Sequence, residues 1–451
     1  MNTTARRLLV LTSVCVTAAL AFSGCATSGT TTPATKDGPV SQADIDKAMK
    51  TPTTLTMWSW LPDLQDEIDL FEAKYPAIKV KLVNTSNGTT QYPKLRSALT
   101  AGKGAPDVAH IEYAFLPGFR QTGGLADLTP YGAADLKDQF VPWVWGQVST
   151  KDGIWAVPQD SGPMGTLYRE DLFTAAGIKD VPATWDEFAT TAKTYHEKTG
   201  QYLTNIPGDA SDQMLGLFWQ AGAKPFTFDG DKTVSIDLDS AAAKKVMGYW
   251  QDLIKSGAVS TDAGWNDNWY QGLAKGKYGT WLTAAWAPVF LSGTVKDTAG
   301  KWRAAELPQW KAGEHASGNW GGSSTAVIAT SEHKIAAYEL AKFLNTDSES
   351  TAMLTSKQSL FPTTTHALTA PAFADQKVDF FGGQQVNKVF ADISATVDPD
   401  FTWPPFMEYV ASSYTETVGD AIVNGGDMVG ALTKWDQAVE TYAKQQGFTV
   451  K

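Results

Sequence analysis

The chain has 451 residues, enough for two or three domains at about 150 residues each. Its formal net charge of -11 argues against nucleic acid as a partner, because phosphates reward clustered Lys and Arg. Seventeen Trp beside only 19% charged residues supply much flat apolar surface that also carries a donor, while the two Cys, Cys15 and Cys25, provide no disulfide framework for a mature chain.

The N-terminus reads as an export signal. Arg6 and Arg7 precede an uncharged, largely apolar run over 8–22, and the small residues Ser23 and Gly24 follow. The run is too short to span a bilayer comfortably, which takes about 20 apolar residues. Phe22-Ser23-Gly24-Cys25 resembles the lipobox of bacterial lipoproteins, although Phe22 stands where a smaller aliphatic residue is commoner. That resemblance implies a signal peptide over 1–24, cleavage before Cys25, and lipidation of the Cys25 sulfur. Two acyl chains suffice for stable anchoring. Residues 25–53 are rich in Thr, Ser, Gly and Pro, with one weakly helical patch at 42–50, and are expected to form a disordered tether.

The body then starts abruptly. Leu55-Thr56-Met57-Trp58-Ser59 has strand composition, and Asp63 is placed to cap a helix with Leu64, Ile68 and Phe71 on one face. Residues 78–83 read as a second strand, 92–101 as a helix with Leu95 and Leu99, and 107–111 as a third strand. This alternation implies parallel βαβ units, whose ligands sit beyond the carboxyl ends of the strands. Trp60, the 84–91 segment with Asn84 and Gln91, and Glu112 all fall there. After Pro163 a second α/β segment follows. Thr184 and Glu187 form a capping-box pattern, Ser240 opens a helix with Val246, Met247, Trp250 and Leu253, and Met428, Leu432, Trp435, Val439 and Tyr442 mark a long amphipathic helix.

These pieces come in an order that resembles the family 1 extracellular solute-binding proteins, the group that includes maltose-binding protein. Ala105-Pro106-Asp107-Val108 is followed by Gly124-Leu125-Ala126-Asp127-Leu128-Thr129-Pro130, Ile154-Trp155-Ala156-Val157-Pro158 and Leu167-Tyr168-Arg169-Glu170-Asp171-Leu172. Further on come Pro182-Ala183-Thr184-Trp185-Asp186-Glu187-Phe188, Gly276-Lys277-Tyr278-Gly279-Thr280, Leu307-Pro308 and Gly318-Asn319-Trp320-Gly321-Gly322. Each is weak alone, but seven or more in order across the body is a specific pattern.

The resemblance implies an α/β, two-lobed periplasmic-binding-protein-like fold with hinge strands and an interlobe cleft. Crossings are expected near 158–162, 307–308 and 361–362. Lobe 1 would comprise 54–160 and 309–362, and lobe 2 would comprise 161–308 and 363–451. It also implies a binding role without catalysis or cofactor, and two membrane permease subunits with a cytoplasmic ATPase as partners of an ABC importer. The expected location is the outer face of the cytoplasmic membrane, and the expected state is a monomer.

A sugar offers C–H patches that pack on aromatic faces and hydroxyls that donate and accept, so its site needs flat aromatics beside carboxylates and amides. Trp286 corresponds to a tryptophan-bearing segment of the family's second lobe, and Trp320 sits beside Gly321, which permits close backbone approach. Trp403 lies in a Pro-rich loop where the family often places an aromatic, and Trp60 follows the first strand directly. Trp269 is a further candidate, with Trp265 beside it. Glu112 and Asp160 are the expected carboxylates, and Asn84 and Gln91 weaker polar contacts. Trp155, Trp185, Trp250 and Trp435 fit core faces.

Other chemistry lacks its residues. Gly276-Lys277 has Gln271 and Tyr278 where a phosphate loop needs Gly and Ser or Thr, and His196-Glu197 has Gly200 where a zinc helix needs its second His. Asp229-Gly230-Asp231 has Val234 where a calcium loop needs Gly. A secreted glycoside hydrolase would also show aromatics and acids, but needs two carboxyls facing across one bond. A peptide or polyamine site would be dominated by acids. The glycine-flanked Trp set favours an oligosaccharide.

Overall fold

The computed structural model describes residues 39–451, so the signal, Cys25 and the tether up to residue 38 lie outside the described residues. The end of the expected tether is ordered instead. Gln42–Lys50 is a helix whose Ser41 and Asp44 form a capping box, and Met49 is buried beneath it where it packs on the Lys334–Thr346 helix. A single buried side chain anchors this otherwise polar helix, which is why composition resembled a linker.

The first sheet is built from β1 (Thr53–Ser59), β2 (Ile78–Asn84), β3 (Val108–Glu112), β4 (Val157–Asp160) and a late strand described below. β1 pairs in parallel with β2 and β3, as the βαβ spacing predicts. Alternation along β1 turns Leu55, Met57 and Ser59 inward. Asp107 ties the start of β3 to its neighbours, its carboxylate accepting from the Thr56 amide at 2.8 Å and the Ser331 hydroxyl at 2.5 Å.

Two sequence-predicted helix starts differ. The helix over Gln65–Lys74 has no side-chain cap, and Asp63 stands in the left-handed region at φ 55° before it. The next helix begins at Gly88, four residues before the predicted start, because the Asn87 side chain caps the Thr90 amide. Pro93 forfeits one helical hydrogen bond there without ending the helix.

The chain leaves the first sheet after Asp160 and enters a second at once. That sheet is β5 (Met164–Arg169) flanked antiparallel by β6 (Thr280–Ala284) and β7 (Trp302–Glu306). After β7 it returns to the first sheet as β8 (Ser323–Val327), antiparallel to both β3 and β4. A third passage runs through Phe361 and Thr363, whose carbonyls accept from the Ser161 and Val141 amides. The two sheets, each with its own helices, give a two-lobed α/β fold.

The second half is held by the long Met428–Gln445 helix. Trp435 is fully buried with its Nε1 donating to the Val410 carbonyl at 3.0 Å. Thr184 accepts from the Glu187 amide, while Glu187 reaches back one residue further than the capping-box pattern predicts, to the Ala183 amide at 2.8 Å. Among the described residues, no helix is long and apolar enough to cross a membrane.

Candidate ligand-binding cleft

Strand register brings three polar side chains onto one rung. Ser323 of β8 pairs with Glu112 of β3 on one side and Asp160 of β4 on the other, and a register shift between Ser323 and Ser324 marks a bulge at that point. Bulges bend a strand and re-aim its side chains. All three residues stand at the carboxyl end of the parallel β1–β3 pair, beside Trp60.

Behind them lies a buried relay. His110 is pushed down to about 3 by burial and is neutral at physiological pH. Its Nε2 lies 2.5 Å from the Ser323 hydroxyl and its Nδ1 3.2 Å from the Ser59 hydroxyl. Ser323 also bonds the Asp160 carboxylate. With Asp160 ionised, one consistent assignment has Ser59 donating to Nδ1, Nε2–H donating to Ser323, and Ser323 donating to Asp160. Trp60 stacks flat on the His110 ring, with centroids 3.9 Å apart and planes at 15°. The neutral ring carries no charge to draw an anion, so it serves to orient Trp60 and Ser323.

Glu112 accepts from the Tyr92 hydroxyl at 2.8 Å. Crowding by protein strips water from its carboxyl and, aided by the charges of Asp212 and Asp160, raises it to about 7 against the pull of Tyr92. Asp160 is raised to about 6 by the same loss of hydration, opposed by Ser323. Asp212, in the first turn of the Ser211–Gln220 helix, is raised as well. That helix is tied to the second sheet, where Gln213 donates to the Leu282 carbonyl at 2.7 Å. Asp212, on a helix tied to the second sheet, is therefore near enough to Glu112 of the first for its charge to be felt there. Each retains contact with solvent, so the crowding comes from surrounding protein and not from sealing.

The other wall is aromatic. Trp286 ends the turn after β6, and its Nε1 donates to the Trp320 carbonyl at 2.7 Å, with the two rings 5.0 Å apart and nearly perpendicular. Trp265 leans on Trp286 at 5.6 Å and on Trp320 at 6.2 Å, and 46% of its surface is exposed. It holds φ 62°, a left-handed conformation that bulky residues rarely adopt. Trp320 approaches Gly162 so closely that a side chain there would collide with its carbonyl. Gly322, at φ 87°, would put a Cβ 2.7 Å from the Tyr113 ring. Asn319 stitches the crossings, accepting from the Gly162 amide at 2.9 Å and donating to the Gly321 carbonyl at 2.7 Å. The segments 160–162 and 320–323 thus join the carboxyl group to the Trp wall.

Trp60, Glu112, Asp160, Trp286, Trp320 and Gly321 come together here, and four other sequence candidates do not. Gln91 is buried in the first half, with its amide accepting from Thr85 at 2.8 Å and donating to the His110 carbonyl at 2.6 Å. The early start of its helix turned it inward. Asn84 is exposed and holds a turn through the Ser86 amide. Trp269 is 3% exposed and bonds Asn205 at 3.1 Å, so it backs Trp265 from behind.

Trp403 packs on Trp219 and Phe401 and donates to Gln147 at 2.7 Å. It lines a separate cavity with Arg120, Phe228 and Trp155, and Trp155 is half-buried there while packing against the core. Sequence reasoning underweighted Trp265 and missed Asp212, Tyr92, His110 and Ser323. Gly264-Trp265-Asn266, an aromatic directly before a helix cap, was the available signal for the first.

Among the described residues, no three His, Cys, Asp or Glu side chains are grouped to hold a metal ion. The site offers acceptors for hydroxyls opposite aromatic faces.

The family model for bacterial extracellular solute-binding proteins matches residues 58–350. Among solved structures, the chain is 32% identical to the ABC transporter-associated binding protein of B. animalis subsp. lactis Bl-04 in complex with β-1,6-galactobiose, with a TM-score of 0.76, covering 88% of this chain and 99% of that one. It is 26% identical to the galacto-N-biose/lacto-N-biose I-binding protein of Bifidobacterium longum, also at TM-score 0.76, covering 88% and 98%. An arabinooligosaccharide-binding protein of Halalkalibacterium halodurans is 28% identical over 306 residues, which is 64% of this chain and, at 66%, just under two thirds of that relative. The chain belongs to the bacterial extracellular solute-binding proteins.

Proposed function

We propose that this chain is the sugar-capturing component of an ABC importer, closing two lobes on an oligosaccharide and presenting it to the permease without transforming it. The observation that supports this reading most is that the 160–162 and 320–323 segments join Glu112 and Asp160 to the Trp265, Trp286 and Trp320 cluster, with Asp212 close enough for its charge to raise Glu112. Carboxyl groups, acceptor-only when ionised and able to donate when protonated, suit pairs of sugar hydroxyls, and indole faces suit the C–H patches. The relatives named above bind galactobiose, lacto-N-biose or arabinooligosaccharides.

In this reading lobe 1 is 54–160 with 309–362, and lobe 2 is 161–308 with 363–451. Contacts made only in the closed state supply the closing force. Arg96 and Glu408, 2.6 Å apart, and Arg120, 5.0 Å from the Phe228 ring, would join the two halves so divided. Cys25 would carry the lipid, holding a monomer on the outer membrane face beside its two permease subunits and their ATPase.

Titration calorimetry of the mature chain against galacto-, arabino- and malto-oligosaccharides tests this. Saturable 1:1 binding with the sugar recovered intact by chromatography is expected. Recovery of shortened sugars would make the protein a glycoside hydrolase instead.

A further inference from the structure

A groove of about 530 Å³ opens beside Trp286, between the Ala287–Thr294 helix of the second half and the Ser348–Ser356 helix of the first. Its size falls in the range of about 300–1,000 Å³ that holds small ligands. Ala285 and Trp286 belong to its lining, so it is continuous with the cleft.

Its chemistry is uniform. None of the lining residues is Asp, Glu, Lys or Arg. One wall is apolar and includes Val289, a large hydrophobic residue left 41% exposed. The facing wall is a stripe of Thr351, Ala352, Thr355 and Ser356, which the helical repeat places on one side. Thr351, Thr355 and Ser356 each spend their proton on a backbone carbonyl of their own helix, which leaves oxygen lone pairs free to accept. At the far end Phe373 is half-buried beside the amides of Gln376 and Asn387.

Behind Thr351 and Thr355 a small recess is reached by Gln159. This side chain is 4% exposed, and neither its amide nitrogen nor its oxygen has a partner among the described residues. Apart from the His366 imidazole, this channel of apolar faces, hydroxyls and amides supplies no countercharge for phosphates or polyamines, and it matches a neutral polyhydroxylated chain.

We propose that this groove receives the further units of an oligosaccharide whose first units occupy the cleft, so that the protein selects for chain length through the α-helix at 348–356. The inference rests on the cleft binding sugar. The probe is a ladder of β-1,6-galacto-oligosaccharides and arabino-oligosaccharides of two to five units, titrated calorimetrically into the mature chain and into Ala352→Trp. Ala352 is exposed and lines only the groove, so the indole obstructs it without entering the core or the cleft.

For at least one series, affinity is expected to rise about tenfold or more from two to four units. Ala352→Trp is expected to erase that rise while leaving disaccharide affinity within about twofold. Thr355→Ala, which removes one acceptor, is expected to reduce the rise partially. Equal affinity for two and four units, or an undiminished rise in Ala352→Trp, would overturn the groove proposal and leave the cleft reading standing. Failure of every sugar to bind would overturn both. Loss of disaccharide binding in a folded Ala352→Trp would also overturn the proposal, since the groove would then not be separable from the cleft.

Discussion

Replacing Trp265 with Ala should weaken sugar binding by about 10- to 100-fold. A Trp side chain presents up to about 250 Å². The 46% of Trp265 that is exposed therefore leaves roughly 115 Å² for a ligand to cover. At about 25 cal/mol per Å² this is worth at most about 2.9 kcal/mol, and half coverage about 1.4 kcal/mol, or one factor of ten. The backbone provides an internal control. Because Trp265 holds φ 62°, Trp265→Gly should be more stable than Trp265→Ala by roughly 1 kcal/mol, while both lose the same affinity. Calorimetric titration gives the affinity and thermal unfolding the stability. Affinity within twofold of the parent in both variants would refute the placement of Trp265 against the ligand.

Stability should also depend on pH through Glu112. A carboxyl raised on folding from its ordinary 4.5 to about 7 opposes folding in its ionised form, so the penalty is absent below about pH 4.5 and full above about pH 7. Glu112→Gln should therefore gain stability relative to the parent at pH 8 but not at pH 4.5, read as the difference in melting temperature. Arg96→Ala should lower sugar affinity up to about fivefold by removing a partly exposed ion pair that, in the proposed division, would join the lobes, and raising salt should shrink the effect. Gly322→Ala should cost about 1–3 kcal/mol in chemical denaturation, since it strains a left-handed φ and meets the Tyr113 ring. Trp435→Ala should cost about 3–5 kcal/mol in the same assay, removing the buried ring together with its hydrogen bond to the Val410 carbonyl.

The parts of this molecule that were legible in its sequence are those with a local cause. Hydrophobic periodicity marks the helix that buries Met428, Leu432 and Trp435, and strand composition marks β1 and the parallel βαβ start. Trp320 and Gly321 were legible because glycine-rich surroundings allow close approach, and Trp286 because its segment resembles a tryptophan-bearing one of the family. What stayed hidden depends on register and on distant partners. Nothing near Ser323 or His110 announces that β8 folds back between β3 and β4 to make a relay of them. Asp212 gains its role only because its helix docks on the second sheet opposite Glu112. Gln91 misled because a cap at Asn87 moved the helix start, and Trp403 because a Pro-rich loop can seat a ring in a second cavity as readily as in the cleft.

The most direct measurement is a crystal structure of the mature chain with the tightest-binding oligosaccharide. The account predicts a sugar ring on the faces of Trp265 or Trp286, with hydroxyls donating to Glu112, Asp160 and Asp212 from the two lobes at once. A sugar seated against Trp403 and Trp155 instead, with that carboxyl group untouched, would contradict it.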